Sequence, residues 1–206
     1  MKLLVGTNNT GKVVEIREVF SNLPFTLLTP EHLEIEEVPE ENGISFAENA
    51  IAKAQFYYNR AKLPTVADDS GILVEAFEEE LGIHTRRWGP GAEATDEEWI
   101  GFFLDRMKKE QNKRARFVCS LAYIDDTGRL TTFEGTCEGT ITDSLEAPYL
   151  PGLPISGCFR PDGYEQVFSA LPIEHKNSTS HRGRALQQFL TYITDETNLA
   201  DLSTHR

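Results

Sequence analysis

The sequence is poor in basic residues relative to acidic ones. It contains 20 Lys and Arg against 33 Asp and Glu, which gives a formal net charge of −13. A chain with this charge repels polyanions over most of its surface, so the composition counts against DNA or RNA as the main partner. A small nucleotide is not excluded by this argument, because one basic pocket is enough to bind it.

Cysteine and long hydrophobic runs are also scarce. The three cysteines, Cys119, Cys137 and Cys158, are odd in number and lack metal-ligand spacing, so we expect reduced thiols as in the cytoplasm. No stretch approaches the roughly 20 apolar residues of a membrane-spanning helix. The first apolar run is too short for a signal peptide. We therefore predict a cytoplasmic protein without a membrane partner.

The sequence contains enough hydrophobic residues to form a folded core. The 206 residues are 39% hydrophobic and 26% charged, which argues against disorder. There is no internal repeat and no linker. We expect residues 1–206 to form a single domain, which can consist of two closely joined lobes.

The most informative motif is a phosphate-binding loop that lacks one of its residues. Residues 6–13 are Gly-Thr-Asn-Asn-Thr-Gly-Lys-Val, which fits a P-loop except that Val13 stands where Ser or Thr ligates Mg²⁺. Valine has no oxygen for a metal, which also disfavours a P-loop kinase or GTPase. We predict that Lys12 and the loop amides bind phosphates while another element holds the metal. On this loop alone, an ordinary turn followed by a solvated lysine stays an alternative.

The acidic residues 67–71, Ala-Asp-Asp-Ser-Gly, are the candidate for that metal site. They follow a predicted short buried strand, and α/β proteins place ligands at such strand ends. Adjacent strand residues point to opposite faces, so one of Asp68 and Asp69 can face a cleft. The alternative is a simple turn, for which this composition is also well suited. With the glycine loop beside it, the segment favours hydrolysis of a nucleotide or another polyphosphate.

A basic cluster occupies residues 176–184, which include Lys176, His181 and Arg182 and no acid. It can form a phosphate-binding or base-binding element, since the Arg fork binds planar acceptors in a bidentate manner. The alternative is an ordinary helix start capped by Ser180. The acidic residues 31–41 are predicted to form a solvated loop, whose last two members, Glu40 and Glu41, become metal ligands only if the loop folds over Asp69.

The hydrophobic periodicity predicts an α/β fold with a mixed sheet, because helices and strands alternate early and a hairpin follows. Residues 72–76 are predicted to form a second strand or the start of a helix, and residues 148–161 to be irregular. The predicted strands are 2–5, 65–67, 117–124, 129–133 and 136–142, and the predicted helices are 13–20, 46–62, 96–109 and 182–194.

Five short motifs follow one another along nearly the whole chain. They are Thr-x-Asn-x-x-Lys at 7–12, Phe-x-Glu-Asn-Ala-x-x-Lys-Ala at 46–54, Ala-Asp-Asp-Ser-Gly at 67–71, Ala-Arg-Phe at 115–117, and Lys-Asn-x-x-Ser-His-Arg-Gly-x-Ala-Leu at 176–186. In these motifs the chain resembles the inosine triphosphatase family. Members of that family are pyrophosphatases that remove non-standard purine nucleotides from the nucleotide pool.

The resemblance implies an elongated, twisted central mixed sheet flanked by helices, with the active-site cleft between two lobes. Maf proteins form a related branch. It also implies Mg²⁺-dependent hydrolysis of nucleoside triphosphates such as ITP, dITP and XTP to the monophosphate and pyrophosphate. Members of the family are usually homodimers.

The same resemblance implies roles for individual residues. Asp69, Lys12 and Lys53 would be catalytic: Asp69 would ligate Mg²⁺ and activate water, while both lysines would bind phosphates. Glu40 or Glu41 would complete the metal site. The other implied substrate contacts are Thr7, Asn8, Asn9, Thr10, Gly11, Ser70, Lys176, His181 and Arg182.

One loop departs from the family pattern. Where the family has Phe-Gly-Tyr or Trp-Asp-Pro to bind the base, this chain has Leu153-Pro154-Ile155-Ser156, with neither an aromatic ring nor an acid. Loss of a stacked aromatic costs about 1–3 kcal/mol per base in single-strand nucleic-acid binders. We therefore expect altered or relaxed base preference. The alternatives are a pyrophosphatase for other nucleotides, such as modified pyrimidines, and a nucleotide-binding protein without catalysis.

Overall fold

The computed structural model describes residues 1–77 and 80–204, with side chains as far as residue 195. The strands are β1 (Lys2–Val5), β2 (Thr26–Leu28), β3 (Thr65–Val74), β4 (Arg114–Ile124), β5 (Leu130–Ile141) and β6 (Phe159–Pro161). The α-helices are α1 (Thr10–Phe20), α2 (Phe46–Ala61), α3 (Asp96–Met107), α4 (Ile173–Thr179) and α5 (His181–Thr204). Short 3₁₀ turns include Gly82–Arg87 and Pro154–Gly157.

The strands form one mixed sheet in the order β2-β1-β3-β4-β5-β6. β1 pairs in parallel with β2 and with β3, whereas the β3–β4, β4–β5 and β5–β6 pairs are antiparallel. The predicted α/β fold with a helix-flanked mixed sheet is therefore confirmed. The division into one domain with two lobes stays a prediction. In the part of the chain that the structure covers, no helix combines the length and apolar character needed to cross a membrane.

The helix starts follow the capping residues seen in the sequence. The side chain of Thr95 accepts a hydrogen bond from the Glu98 amide, and the Glu98 carboxylate accepts one from the Thr95 amide, which is a complete capping box. Ser45 likewise accepts from the Glu48 amide, but the Glu48 carboxylate accepts from Ile44 instead. The predicted starts of α2 and α3 are therefore correct.

The prediction for residues 65–76 was wrong in one respect. β3 does not end before Asp68; it continues through both aspartates to Val74 and pairs with β4 along its whole length. The reason is that β4 supplies a backbone partner for every residue of the segment, which overrides its local turn preference. Asp68 and Asp69 consequently lie within a central strand.

Two predictions for the second half also require correction. β5 is one strand rather than two, because Glu134 and Gly135 keep their pairing with Ser120 and Cys119 of β4. A Cβ atom on Gly135 would lie 2.0 Å from the carbonyl of His181, so the missing side chain lets α5 approach the sheet. The segment 148–161 is not wholly irregular, since it contains a 3₁₀ turn and the edge strand β6.

Candidate active site

A cavity of about 340 Å³ lies beside β3 and brings distant parts of the sequence together. Its wall contains residues of the glycine loop, of the acidic loop before α2, of α2 and β3, and of the segments 152–156 and 176–182. The predicted site residues in the wall are Thr7, Asn8, Asn9, Lys12, Glu41, Lys53, Asp69, Ser70, Leu153, Pro154, Ile155, Ser156, Lys176, His181 and Arg182.

Three residues predicted from the sequence do not line this cavity. Thr10 is exposed at the start of α1. Gly11 is buried, and a Cβ atom there would meet the Pro151 carbonyl at 2.5 Å. The Glu40 carboxylate accepts a hydrogen bond from the Asn42 amide at 2.8 Å. The structure thus distinguishes the two neighbouring glutamates, because only Glu41 reaches the cavity.

The glycine loop connects β1 to the N-terminus of α1. The Asn9 side chain caps this helix by accepting a hydrogen bond from the Lys12 amide at 3.0 Å. The Lys12 ammonium lies 3.0 Å from Asp68, with its side chain only 11% exposed. It is therefore not a solvated lysine of a simple turn. A helix N-terminus together with a cation provides a favourable position for an anion.

Asp68 is the buried anion behind the cavity wall. Its Oδ2 accepts from the guanidinium of Arg182 at 3.2 Å and lies 3.0 Å from the Lys12 ammonium. Burial by itself would raise the pKa of Asp68, but Lys12 and Arg182 hold this pKa well below its usual range. The charge of Asp68 therefore fixes the positions of two cavity cations.

Asp69 points to the other face of β3, toward α2. Its Oδ1 is 3.1 Å from the Lys53 ammonium, and its Oδ2 accepts from the Asn49 amide at 3.0 Å. Lys53 also contacts Glu41 at 2.6 Å and the Asp68 carbonyl at 3.2 Å. Burial would lower the pKa of Lys53, but Asp69 and Glu41 raise it, so this lysine stays charged. One ammonium thereby holds the carboxylates of Asp69 and Glu41 in a single cluster.

A second charged cluster is centred on Glu15, a residue that the sequence analysis did not single out. Glu15 is buried, lies 2.7 Å from the Lys176 ammonium and also pairs with Arg182. Arg182 in turn donates to the Ser70 hydroxyl at 2.8 Å. Burial would raise the pKa of Glu15, but both cations lower it. Lys12 and Glu15 are three positions apart in α1 and so lie on one helix face, which was the available signal.

The deep end of the cavity is aromatic and apolar. The rings of Phe117 and His181 are stacked with centroids 4.6 Å apart, and Phe168 packs against both. Burial and the nearby Arg182 cation lower the pKa of His181 well below 6.5, so its ring is neutral. The Ser156 hydroxyl donates to the Leu153 carbonyl at 2.6 Å. The aromatic surface of this part of the cavity therefore comes from Phe117 of β4 with Phe168 and His181, and not from the 153–156 loop.

The acid cluster has donors suited to Mg²⁺ when a polyphosphate is also bound. Across the described side chains of residues 1–77 and 80–195, no group of three or more His, Cys, Asp or Glu forms a complete metal site. Mg²⁺ is typically bound by one or two carboxylates, with waters and substrate phosphates as the other ligands. Asp69 and Glu41, held together by Lys53, fit this pattern.

Comparisons with known proteins identify similar chains over almost the full length. Residues 3–192 match the model of the Ham1 family. A dITP/XTP pyrophosphatase of Leptospira interrogans is 37% identical over 93% of this chain and 96% of its own. Another of that name, from Treponema denticola, is 34% identical over 94% and 98%. The solved Ham1 protein of Staphylococcus aureus superposes with a TM-score of 0.78 at 26% identity, covering 95% of this chain and all of that one.

Proposed function

Because the chain belongs to the Ham1 family, we propose that it hydrolyses non-standard purine nucleoside triphosphates to the monophosphate and pyrophosphate. The resemblance to the inosine triphosphatase family is confirmed by that membership. Proteins at 34–37% identity carry the name dITP/XTP pyrophosphatase, which supports ITP, dITP and XTP as substrates. The observation that carries the proposal is the Asp69–Lys53–Glu41 cluster, which faces one cavity together with Lys12, Lys176 and Arg182.

Asp69, Glu41 and Lys53, which form the acid cluster, have different roles in hydrolysis. Asp69 and Glu41 would hold Mg²⁺, which when bound offsets phosphate charge and lowers the pKa of water. Asp69 accepts a proton from the attacking water. Asn49 and Lys53 fix its two carboxylate oxygens, so the base is oriented before substrate binds. Phosphoryl transfer depends mainly on such positioning and charge stabilisation.

Phosphates and base are assigned to different parts of the cavity, which adjoin at Arg182, because this residue shares Asp68 Oδ2 with Lys12 and follows the stacked His181. The cationic end, with Lys12, Lys53 and the α1 N-terminus, takes the triphosphate, while the aromatic end takes the base. A 6-oxo purine presents an acceptor where adenine presents a donor. Lys176 and Arg182 supply donors near the aromatic end, which supports selection of hypoxanthine and xanthine over adenine.

The expected products are tested by pyrophosphate release with Mg²⁺ from ITP, XTP, GTP, ATP, CTP, UTP and TTP. We expect ITP and XTP to be preferred over ATP by roughly 10–100-fold in kcat/KM, since a donor–acceptor mismatch with a base costs about 1–3 kcal/mol. Release mainly from another base would support a second candidate, a retuned preference, which the aliphatic Leu153 and Ile155 favour. Absence of release from every nucleotide would contradict the proposal and favour a binding protein.

The two adjacent glutamates of the acidic loop provide a matched test of the metal site. In Glu41→Gln, we expect the Mg²⁺ concentration for half-maximal activity to rise about 10–100-fold, the range for losing a group that supports a metal site. Glu40→Gln removes the same charge one residue away, outside the cavity, and should leave this concentration nearly unchanged. A Mg²⁺ titration of the initial rate measures both, and equal shifts would contradict the assignment.

We also propose that residues 1–206 act as one catalytic domain in a cytoplasmic homodimer. The family resemblance supports the dimer, and the near-complete coverage of relatives of similar length supports the single domain. Light scattering with size-exclusion chromatography tests the stoichiometry, for which the expected mass is twice the 23.2 kDa of the chain.

A further inference from the structure

The cavity wall contains one cation whose charge is not matched by an acid. Five Lys and Arg residues line the cavity, and four of them contact carboxylates. For the fifth, Arg86, no carboxylate of residues 1–77 or 80–195 lies within the 4.0 Å of an ion pair. The paired groups are Lys12 with Asp68, Lys53 with Asp69 and Glu41, Lys176 with Glu15, and Arg182 with Glu15 and Asp68.

The 3₁₀ turn that carries Arg86 is attached to β3, the strand that carries Asp69. The Thr85 hydroxyl donates to the Gly82 carbonyl at 2.6 Å and accepts from the Ile72 amide of β3 at 3.2 Å. A Cβ atom on Gly71 would lie 2.5 Å from that Gly82 carbonyl, so the turn lies against β3 two residues after Asp69. On its other side, the turn reaches the acidic loop.

That second attachment comes from Arg87. Its guanidinium donates to the backbone carbonyl of Glu41 at 3.0 Å, and the side chain of Glu41 contacts Lys53. The preceding residue, Arg86, lines the same cavity as Asp69 and Glu41, the carboxylates predicted to hold the metal. The phosphates are assigned to the part of the cavity with Lys12 and Lys53, and the base to the part with the stacked Phe117 and His181 rings.

The guanidinium of Arg86 is oriented and still has free donors. One N–H of Nη2 donates a hydrogen bond to the carbonyl of Ala94, just before α3. An arginine has five N–H donors in a rigid fork, and no other acceptor of the described residues contacts this one. Arg86 is exposed, whereas Phe168 and Ile155 in the same cavity wall are buried. A substrate whose base packs against the buried aromatic residues would extend its last phosphates toward the exposed part of the wall, to which Arg86 belongs.

We propose that Arg86 binds the terminal phosphates of the substrate, the part that leaves as pyrophosphate; this rests on the proposed function. A triphosphate brings about four negative charges. The other four cations already pair with carboxylates, so Arg86 accounts for the positive charge that the cavity wall has in excess. Its fork matches two phosphate oxygens in a bidentate manner, as arginine does at phosphate sites.

The test measures binding of inorganic tripolyphosphate and of inosine monophosphate by calorimetry, with Mg²⁺ present. In Arg86→Gln, we expect the Kd for tripolyphosphate to rise on the order of tenfold, as for loss of one charge-assisted contact. The Kd for the monophosphate should not change, because it lacks the phosphates that Arg86 contacts. Arg86→Lys should give an intermediate value, since it keeps the charge without the fork.

Arg17→Gln serves as the matched control, because Arg17 is exposed on α1 and lies outside the cavity. Thermal melting verifies that each variant is folded, and Arg86→Lys carries the test if the Gln variant is not. The proposal is overturned if wild-type protein does not bind tripolyphosphate, or if Arg86→Gln binds it as tightly as wild type does. It is also overturned if the substitution raises the Kd for the monophosphate by the same factor as the Kd for tripolyphosphate. Since no turnover is needed, failure of the proposed hydrolysis would appear separately, in the pyrophosphate-release assay.

Discussion

Replacing Asp69 with asparagine is expected to reduce kcat by roughly 10²–10⁴-fold, the range for loss of a positioned general base. Asparagine keeps the shape of the side chain, so β3 and its pairing with β4 should persist. What is lost is the negative charge beside Lys53 and the proton acceptor for water. Pyrophosphate release at saturating ITP and Mg²⁺ measures the effect, and circular dichroism verifies the fold.

The control for this variant is Asp126→Asn, which removes one negative charge from an exposed residue of the β4–β5 turn. It should retain wild-type kcat. If Asp69→Asn regains a near wild-type rate when Mg²⁺ is raised, Asp69 contributes only to metal binding and its role as base is wrong. If the rate of Asp69→Asn equals that of wild type at every Mg²⁺ concentration, both roles assigned to Asp69 are wrong.

The aspartate pair shows what local sequence patterns predict and what they miss. The motif at residues 67–71 correctly indicated two carboxylates on opposite faces of a strand. Its turn-forming composition incorrectly suggested that the strand ends there. Asp68 lies in a central strand because β4 supplies the backbone pairing, and its carboxylate is paired with Lys12 and Arg182; all of these partners are far from it in sequence. Functional sites often contain such conflicts between local preference and tertiary structure.

The residues that the sequence analysis missed have a common property. Glu15 is identified by its ion pairs with Lys176 and Arg182, and Arg86 by having no carboxylate partner among the described residues of the cavity wall. Both features depend on segments that meet only in the folded chain. The choice between Glu40 and Glu41 could not be made from an acidic loop without periodicity. It is decided by contacts across the cleft, among them the hydrogen bond from Arg87 to the Glu41 carbonyl.

The base-binding end illustrates the same limit. Residues 153–156 include no aromatic side chain, and from this we predicted weaker stacking on the nucleotide base. Phe117 stood in a recognised motif, but nothing local indicated that its ring lines the cavity with Phe168 and stacks on His181. Altered base preference therefore stays a prediction, and the nucleotide panel tests it directly.

The second large effect concerns stability rather than catalysis. Asp68→Asn should lower the free energy of unfolding by about 3–5 kcal/mol, the cost of removing one partner from a buried ion pair. The Asp68 side chain is fully buried between the Lys12 and Arg182 cations, so the variant leaves Lys12 without its carboxylate partner and Arg182 with Glu15 alone. Urea unfolding followed by circular dichroism measures the loss.

Asp162→Asn is the matched control, because Asp162 forms an exposed ion pair with Arg114 at 2.7 Å. Solvent screening limits such surface pairs to about 0–1 kcal/mol, so this variant should be close to wild type. Equal destabilisation by the two substitutions would contradict the assigned importance of the buried pair.

The pH dependence of stability provides an independent test of the contribution made by the Asp68 charge. The pKa of Asp68 is lower in the folded protein than the ordinary value of 3.8, so the unfolded chain binds a proton first as pH falls. The stabilisation is therefore present above about pH 4 and is lost as pH falls below that value. Wild-type stability should decline more steeply than that of Asp68→Asn in this range, because the variant no longer has the group that titrates. Parallel pH profiles of the two proteins would show that Asp68 does not stabilise the fold through its charge.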